Sequence, residues 1–454
     1  MKKIILLLCL LIIVTKIFSQ DKLLLENYKY RIDHFRAITL NAYTGSQYEK
    51  LEANSLAHVN SSLQGGLGGT YYAAKSTDRI LLTSSISLAG SHFKHKSEDQ
   101  NTSVKARSIN ALSTISVLNK WFNKNRFAEF GADLSGNFNA LKSVVSGTTS
   151  PEKNKLGDYR AEITLGIGSG RLENITDMQN ALWLYKQLVK AGRLTANLSA
   201  TDLDGLGKSI TRGNNTRVLD ARRRTQFLLT TVDDYLQQKG LVNQTDMTYF
   251  SNLNDILFYA FNYPRLSGTE IFARISPAIG DGRNDQIKNN GVDKITNIFR
   301  SKSAIFTAGF NRYKPVNLVH QNNYGASLKL ACVFTEAQFK QMSGNTTVNE
   351  RIDKNNIKQA AAVLFFEHAI YPNTRTVVDL NVQSELGYLD YTRSGFYTSN
   401  SLVLDLDYFI SYHTRLNCSV SADYSKNSFY FGKVLEALPN TIQVSASAGV
   451  QISL

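Results

Sequence analysis

Along much of the chain, hydrophobic and polar residues alternate with period two, the signature of strands with one apolar and one polar face. From Phe127 to Leu141 the even positions Ala128, Phe130, Ala132, Leu134, Phe138 and Ala140 are mostly apolar, whereas Glu129, Asp133, Ser135, Asn137 and Asn139 occupy the odd ones. Val378, Leu380, Val382, Leu386 and Tyr388 alternate with Asp379, Asn381, Gln383 and Glu385, and Leu402 to Ile410 repeats the scheme against Asp405 and Asp407. The last segment is the most regular, with Ile442, Val444, Ala446, Ala448, Val450, Ile452 and Leu454 on one face and Gln443 to Ser453 on the other.

A soluble sandwich also alternates, so the other properties of these segments decide between a sandwich and a membrane barrel. The runs are long, 12 to 18 residues in many cases. Soluble strands average about five or six residues, and a strand tilted across an outer membrane needs roughly 9 to 11. Charges recur on the polar face: Glu129, Asp133, Arg160, Glu162, Arg274, Asp379, Glu385, Asp405, Asp407 and Asp423. Such positions suit a wet lumen better than a dry core. Within that lumen, acids paired with Arg or Lys across strands would brace the wall, whereas unpaired acids would favour cations. Mutual pairing is the expectation.

The N-terminus fits export. Lys2 and Lys3 precede an apolar run from Ile4 to Val14, followed by Thr15 to Gln20, which reads as a signal peptide over residues 1–19 cleaved after Ser19. Its removal takes away Lys2, Lys3 and Lys16, leaving 48 basic against 37 acidic residues and a net charge of +11. Two cysteines, Cys332 and Cys418, remain, each on an apolar face, so no disulfide framework is indicated. With six Pro and 29 Gly against 22 Tyr and 23 Phe, the composition excludes Pro-rich and collagen-like classes and favours strands.

The signal segment, the Tyr/Phe-flanked amphipathic strands and the terminal strand Ile442 to Leu454 resemble an outer-membrane β-barrel of the Bacteroidota type. Such barrels usually end in an aromatic residue, where this chain has Leu454. The resemblance covers residues 35–167 and 268–454 and implies location in the cell outer membrane, contact with its lipid and lipopolysaccharide, and no particular activity.

Strands are expected near residues 35–47, 57–73, 78–94, 105–119, 126–145, 157–167, 268–277, 302–313, 322–337, 357–371, 375–391, 397–411, 414–428 and 440–454. The fold class is therefore an all-β membrane barrel of about 14 antiparallel strands, with 12 as the alternative, since such barrels close with an even number. Long polar links at Lys340–Asn356 and Gly280–Arg300 read as extracellular loops, and tight links at Tyr371–Arg375 and Tyr412–Arg415 as periplasmic turns.

Over residues 168–267 the period becomes helical. Met178, Ala181, Leu182, Tyr185, Leu188 and Val189 mark a first helix capped by Thr176 and stopped at Gly192, and Ser199 with Asp202 caps a second. Leu228 to Leu236 mark a third, ending at Gly240, and Tyr249 to Leu257 a fourth. Strand parity hangs this inserted α-helical domain on the periplasmic side. The run Gly166-x-Gly168-x-Gly170-Arg171 before it resembles uncharacterised Bacteroidota barrels with a helical insertion and reads as a flexible exit from the sheet. It has neither the spacing nor the lysine of a nucleotide loop.

Candidate chemistry is sparse. Arg222, Arg223 and Arg224, beside Arg217 and Asp220, form the densest basic cluster: a solvated helix face, or a contact for an anionic periplasmic partner. The seven histidines are dispersed, and only His92 and His95 are close enough in sequence to suggest a metal site. No hydrolase signature occurs, and export argues against nucleic acid as a partner. The expectation is a monomeric outer-membrane channel or a transport or assembly component, without enzymatic activity, metal or cofactor. The rival is a non-conducting scaffold or adhesin that binds through extracellular loops.

Overall fold

In the computed structural model the described residues are 20–53, 56–98, 103–145, 152–216, 221–258, 264–288, 292–390, 394–411, 414–431, 434–437 and 441–452. The signal segment, Arg217 and Asp220 lie outside them. The first half of the sheet comprises β1 (Ile32–Ala53), β2 (Leu56–Ser76), β3 (Ile80–Glu98), β4 (Ser103–Asn123), β5 (Arg126–Val145) and β6 (Glu152–Asn174). The second comprises β7 (Leu266–Lys288), β8 (Asp293–Pro315), β9 (His320–Ser343), β10 (Thr346–Ile370), β11 (Thr376–Asp390), β12 (Ser394–Ser411), β13 (Thr414–Phe431), β14 (Val434–Ala437) and β15 (Thr441–Ile452).

Every strand pairs antiparallel with its sequence neighbour from β1 to β14, and β15 continues the line of β14 along β13. The last two therefore form one interrupted strand, and the sheet has 14 positions, as expected. Among the described residues β1 pairs only with β2, and β15 only with β13.

The alternation translates directly into exposure. Leu402, Leu404, Leu406 and Tyr408 are each more than 40% exposed, while Asp407 between them is 7% exposed. Ile163, Leu165 and Ile167 project from β6 in the same way, and Cys332 and Cys418 stand on this exposed apolar side. The oily face thus points outward, and the polar face lines the concave interior.

Two expectations require correction. The segments read as extracellular loops continue the ladder: β7 runs to Lys288, β9 to Ser343 and β10 from Thr346, with Gly344 turning at φ +58°. Both faces are polar there, so the period-two signal fades while backbone pairing persists. The glycine run 166–170 is also no flexible exit, because β6 remains paired with β7 as far as Asn174. A Cβ on Gly168 would lie 2.3 Å from the Phe127 ring and 2.4 Å from the Ile271 carbonyl, and Gly170 adopts φ +92°. These glycines let β5, β6 and β7 approach closely.

Four helices follow β6. An unpredicted one, α1 (Gln20–Asn27), precedes β1, and the insertion contains α2 (Thr176–Lys190), α3 (Ala200–Asn215), α4 (Ala221–Gln238) and α5 (Met247–Phe258). Ile175 rather than Thr176 is the N-cap of α2, and Gly192 beyond its end takes φ +66°. Ser199 and Asp202 cap α3 reciprocally, the Asp202 amide donating to Ser199 Oγ at 3.2 Å and the Ser199 amide to Asp202 Oδ2 at 3.1 Å. The helices share a core of Met178, Leu182, Leu206, Ile210, Val232, Leu236, Tyr249 and Ile256. Leu25 and Tyr28 join it from the N-terminal segment, and Leu318 from the β8–β9 turn.

Replacing Gly168 with alanine is expected to destabilise the sheet by about 1–3 kcal/mol, because backbone and ring must both move. Gly449→Ala, with nothing within 4 Å of the added Cβ, should be neutral. Loss of the folded, fast-migrating gel band on heating measures both.

Candidate functional site: a charged interior beneath a helical cap

The inner faces of β4, β5 and β7 converge near the helical end. Lys120 Nζ lies 2.7 Å from Glu270 Oε2 and 3.3 Å from Glu129 Oε2, and Arg274 meets Glu129 at 2.7 Å and Glu270 at 2.9 Å. Two cations thus share two carboxylates, and a neutral cluster results. Both glutamates and Lys120 are at most 6% exposed, so each charge depends on the others for solvation. Phe122, Phe127 and Phe272 pack beside the cluster, with the Arg274 guanidinium 3.9 Å from the Phe272 ring centroid.

A second wall cluster occupies β10–β13. Asp379, Asp405 and Asp407 line a small recess of about 180 Å³ with Glu367, Arg415 and Asn417. Arg415 holds Asp407 through Nε at 2.8 Å and Nη2 at 2.5 Å. Asp379 stands directly opposite Asp405, and its Oδ1 is buried without a hydrogen-bond partner. Nearer the far end Arg160 pairs with Glu162 at 2.7 Å, and Glu385 accepts from the Tyr397 hydroxyl at 2.5 Å. Asp133 and Asp423 are exposed at inner-face positions.

The fold therefore joins Glu129 to Arg274, Arg160 to Glu162, and Asp379 to Asp405 and Asp407. The alternation did not single out Lys120, Glu270, Arg415 or Glu367. Glu270 was accessible to it, being four residues before Arg274 on one strand face. His92 and His95, three apart on one strand, point to opposite faces and cannot share an ion. No group of three potential ligands able to hold a metal occurs among the described residues.

Above this interior the helices are fastened to separate points of the rim. Just before β1, Asn215 of α3 donates to Tyr30 Oη at 3.0 Å, beside Arg31, which ties Asp78 of the β2–β3 turn to Glu173 at the end of β6 at 2.8 Å each. The β10–β11 turn is reached by the Arg375–Asp255 ion pair. At the β8–β9 turn Arg265, fully buried, donates to Gln321 Oε1 and to the carbonyls of Leu318, Asn317 and His320. Burial draws its pKa down to about 10, so it remains charged at neutral pH. Within the cap Asp177 is buried and accepts from Thr211 Oγ1 at 2.6 Å and Asn214 Nδ2 at 2.9 Å. Burial raises its pKa despite these bonds.

Arg223 and Arg224 lie exposed on α4, and the side chain of Arg222 is outside the described residues. Neither arginine is drawn into the interior.

No protein-family model and no curated protein matches the chain. Among solved structures it is similar to the translocator domain of autotransporter NalP from Neisseria meningitidis, at 8% identity and TM-score 0.25, covering 84% of this chain and 91% of that one. A TodX monoaromatic hydrocarbon channel mutant matches at 8% identity and TM-score 0.29, covering 96% and 93%. The β domain of the Bordetella autotransporter BrkA matches at 8% and 0.27, covering 77% and 92%.

Lys120→Met should cost about 3–5 kcal/mol, since it leaves two buried glutamates to one arginine. Adding Glu270→Gln restores the balance and should recover much of that loss. Urea unfolding of the single and double variants measures the coupling.

Proposed function

We propose that the protein is an outer-membrane channel whose periplasmic mouth is covered by the helical unit. Apolar side chains projecting from long antiparallel strands suit hydrocarbon, and the charged inner face suits an aqueous interior. In a bilayer the free edges of β1 and β15 would each carry a row of unsatisfied backbone groups costing several kcal/mol apiece, which favours closing the sheet by pairing one with the other. The helical end holds the turns at residues 77–79, 124–125, 316–319 and 371–375, which parity puts in the periplasm.

The observation that carries the gating part of this reading is the spread of the cap's attachments. Asn215 reaches Tyr30 just before β1, the helical core takes in Leu318 of the β8–β9 turn, and Asp255 reaches Arg375 of the β10–β11 turn, while the covalent roots are β6 and β7. In a ring of fourteen, strands 1 and 8 are half a turn apart, so a body fixed to both lies across the opening. The extended β7–β10 hairpins favour one second reading, an external binding surface. At about 3.3 Å per residue, the 25 residues of β10 far exceed what a bilayer needs.

Planar-bilayer recordings separate the two. The intact protein should show rare or small conductance steps, Asp255→Lys should raise open probability by repelling Arg375, and replacing residues 176–258 with a short linker should give a steadily open pore. Silence of the deletion variant, with its barrel shown folded, would instead support the non-conducting scaffold or adhesin.

A further inference from the structure

On the outer face, four neighbouring strands bring one basic residue each to the same level. Lys94 of β3 stands opposite Arg107 of β4, Arg107 opposite Lys142 of β5, and Lys142 opposite Lys153 of β6. All four are exposed, and none forms an ion pair among the described residues. One level further from the cap, Lys96 faces Lys105, and Lys96 is held by Glu98 at 2.6 Å. Like charges directly opposite each other destabilise a sheet. At about 4.8 Å per strand the row spans about 14 Å, and an anionic ligand bridging it would relieve the repulsion.

On β7–β10 the outer-face bases at a comparable height have acidic partners, and the exposed Lys302 and Lys358, which have none among the described residues, do not stand opposite another base. Arg300 approaches Asp281 and Glu336, and Lys354 approaches Glu336, at 3.4–3.7 Å. The alignment of four unpaired bases across adjacent strands is therefore particular to β3–β6 among the described residues.

Its height and surroundings indicate the ligand. Arg107 lies fourteen residues along β4 from Trp121 on the same face, with Ile109 and Ile115 between them. With a tilt near 40°, that separation is about 35 Å along the membrane normal, slightly more than the roughly 30 Å hydrocarbon layer. Four residues below the row, Gly90, Ala111 and Phe138 share a level. There an apolar recess of about 1130 Å³ lies between Leu40, Leu67, Leu88 and Phe138, where Gly90 and Gly136 contribute no side chain.

We propose that this row and recess form a binding site for a phosphorylated glycolipid of the outer leaflet, its phosphates on Lys94, Arg107, Lys142 and Lys153 and an acyl chain in the recess. The proposal rests on the outer-membrane reading above. A soluble anion would satisfy the row alone; a lipid uses both parts, since its charged and apolar ends are held at this separation.

The test uses the full-length protein in a non-ionic detergent, with purified bisphosphorylated lipid A and the same lipid stripped of both phosphates as probes. Native mass spectrometry reads the affinity of the wild type, of Lys94→Gln/Arg107→Gln/Lys142→Gln/Lys153→Gln, and of Arg300→Gln/Lys354→Gln as a control. Heat-modifiable gel mobility first establishes that each is a folded barrel. Its absence in the wild type would overturn the outer-membrane reading itself, independently of lipid binding. The phosphorylated lipid should bind wild type and control equally and the quadruple variant at least tenfold more weakly, and the stripped lipid should bind all three weakly. Gly90→Leu, which fills the recess without touching a charge, should weaken binding severalfold. If the quadruple variant does not fold, Arg107→Gln should lose about threefold and Arg107→Lys should regain it. Equal binding by wild type and the charge variants, or equal binding of both lipids, would overturn the site.

Discussion

The structure depends on the pairing of each strand with its neighbour in sequence while one face of the ribbon remains apolar. Backbone groups are satisfied between strands, so the side chains are free to divide by solvent. Over the middle of the strands hydrophobic residues collect on the outer face and charges on the inner one, while charges return to the outer face only towards the strand ends. This is the inverse of a soluble sandwich, in which the apolar faces meet. Leu402, Leu404 and Leu406 show the consequence, each remaining more than 40% exposed. A surface of this kind is stable where the surroundings are themselves apolar.

Burying charge inside the curve creates a second constraint, which the fold meets in two ways. On β4, β5 and β7 the charges cancel within one compact cluster beside three phenylalanines. On β10–β13 three aspartates and Glu367 meet a single arginine, leaving an acidic recess close to the capped end. The two clusters therefore differ in charge, the one on β4–β7 neutral and the recess on β10–β13 acidic. At the root of β7, beside the cap, a buried arginine closes on the backbone carbonyls of the β8–β9 turn, a geometry that fixes that turn firmly.

Sheet order and strand number were legible in the sequence because period-two alternation is local and each antiparallel hairpin pairs consecutive segments. The capping of α3 by Ser199 and Asp202 was legible for the same reason. What lay beyond the sequence was whatever depends on contact at a distance. The polar ends of β7 to β10 lose their alternation where both faces are wet, so they resembled loops. Gly168 and Gly170 resembled a flexible link because the bodies that press on them, Phe127, Thr269 and Ile271, come from other strands. Lys120 could not be matched to Glu270, 150 residues away, without knowing that β4 and β7 face each other across the curve. Nor could the outer cationic row be seen, since it exists only once the register of four strands is fixed.

The central claim, that the apolar face meets hydrocarbon while the polar face meets water, is tested most directly by placing a small fluorophore at Leu404 and, separately, at Asp405 in protein reconstituted into vesicles. Quenchers attached to lipid acyl chains should extinguish the label at position 404 and spare that at 405, and a water-soluble quencher should do the reverse. Efficient aqueous quenching at position 404, or equal lipid quenching at both positions, would contradict the account.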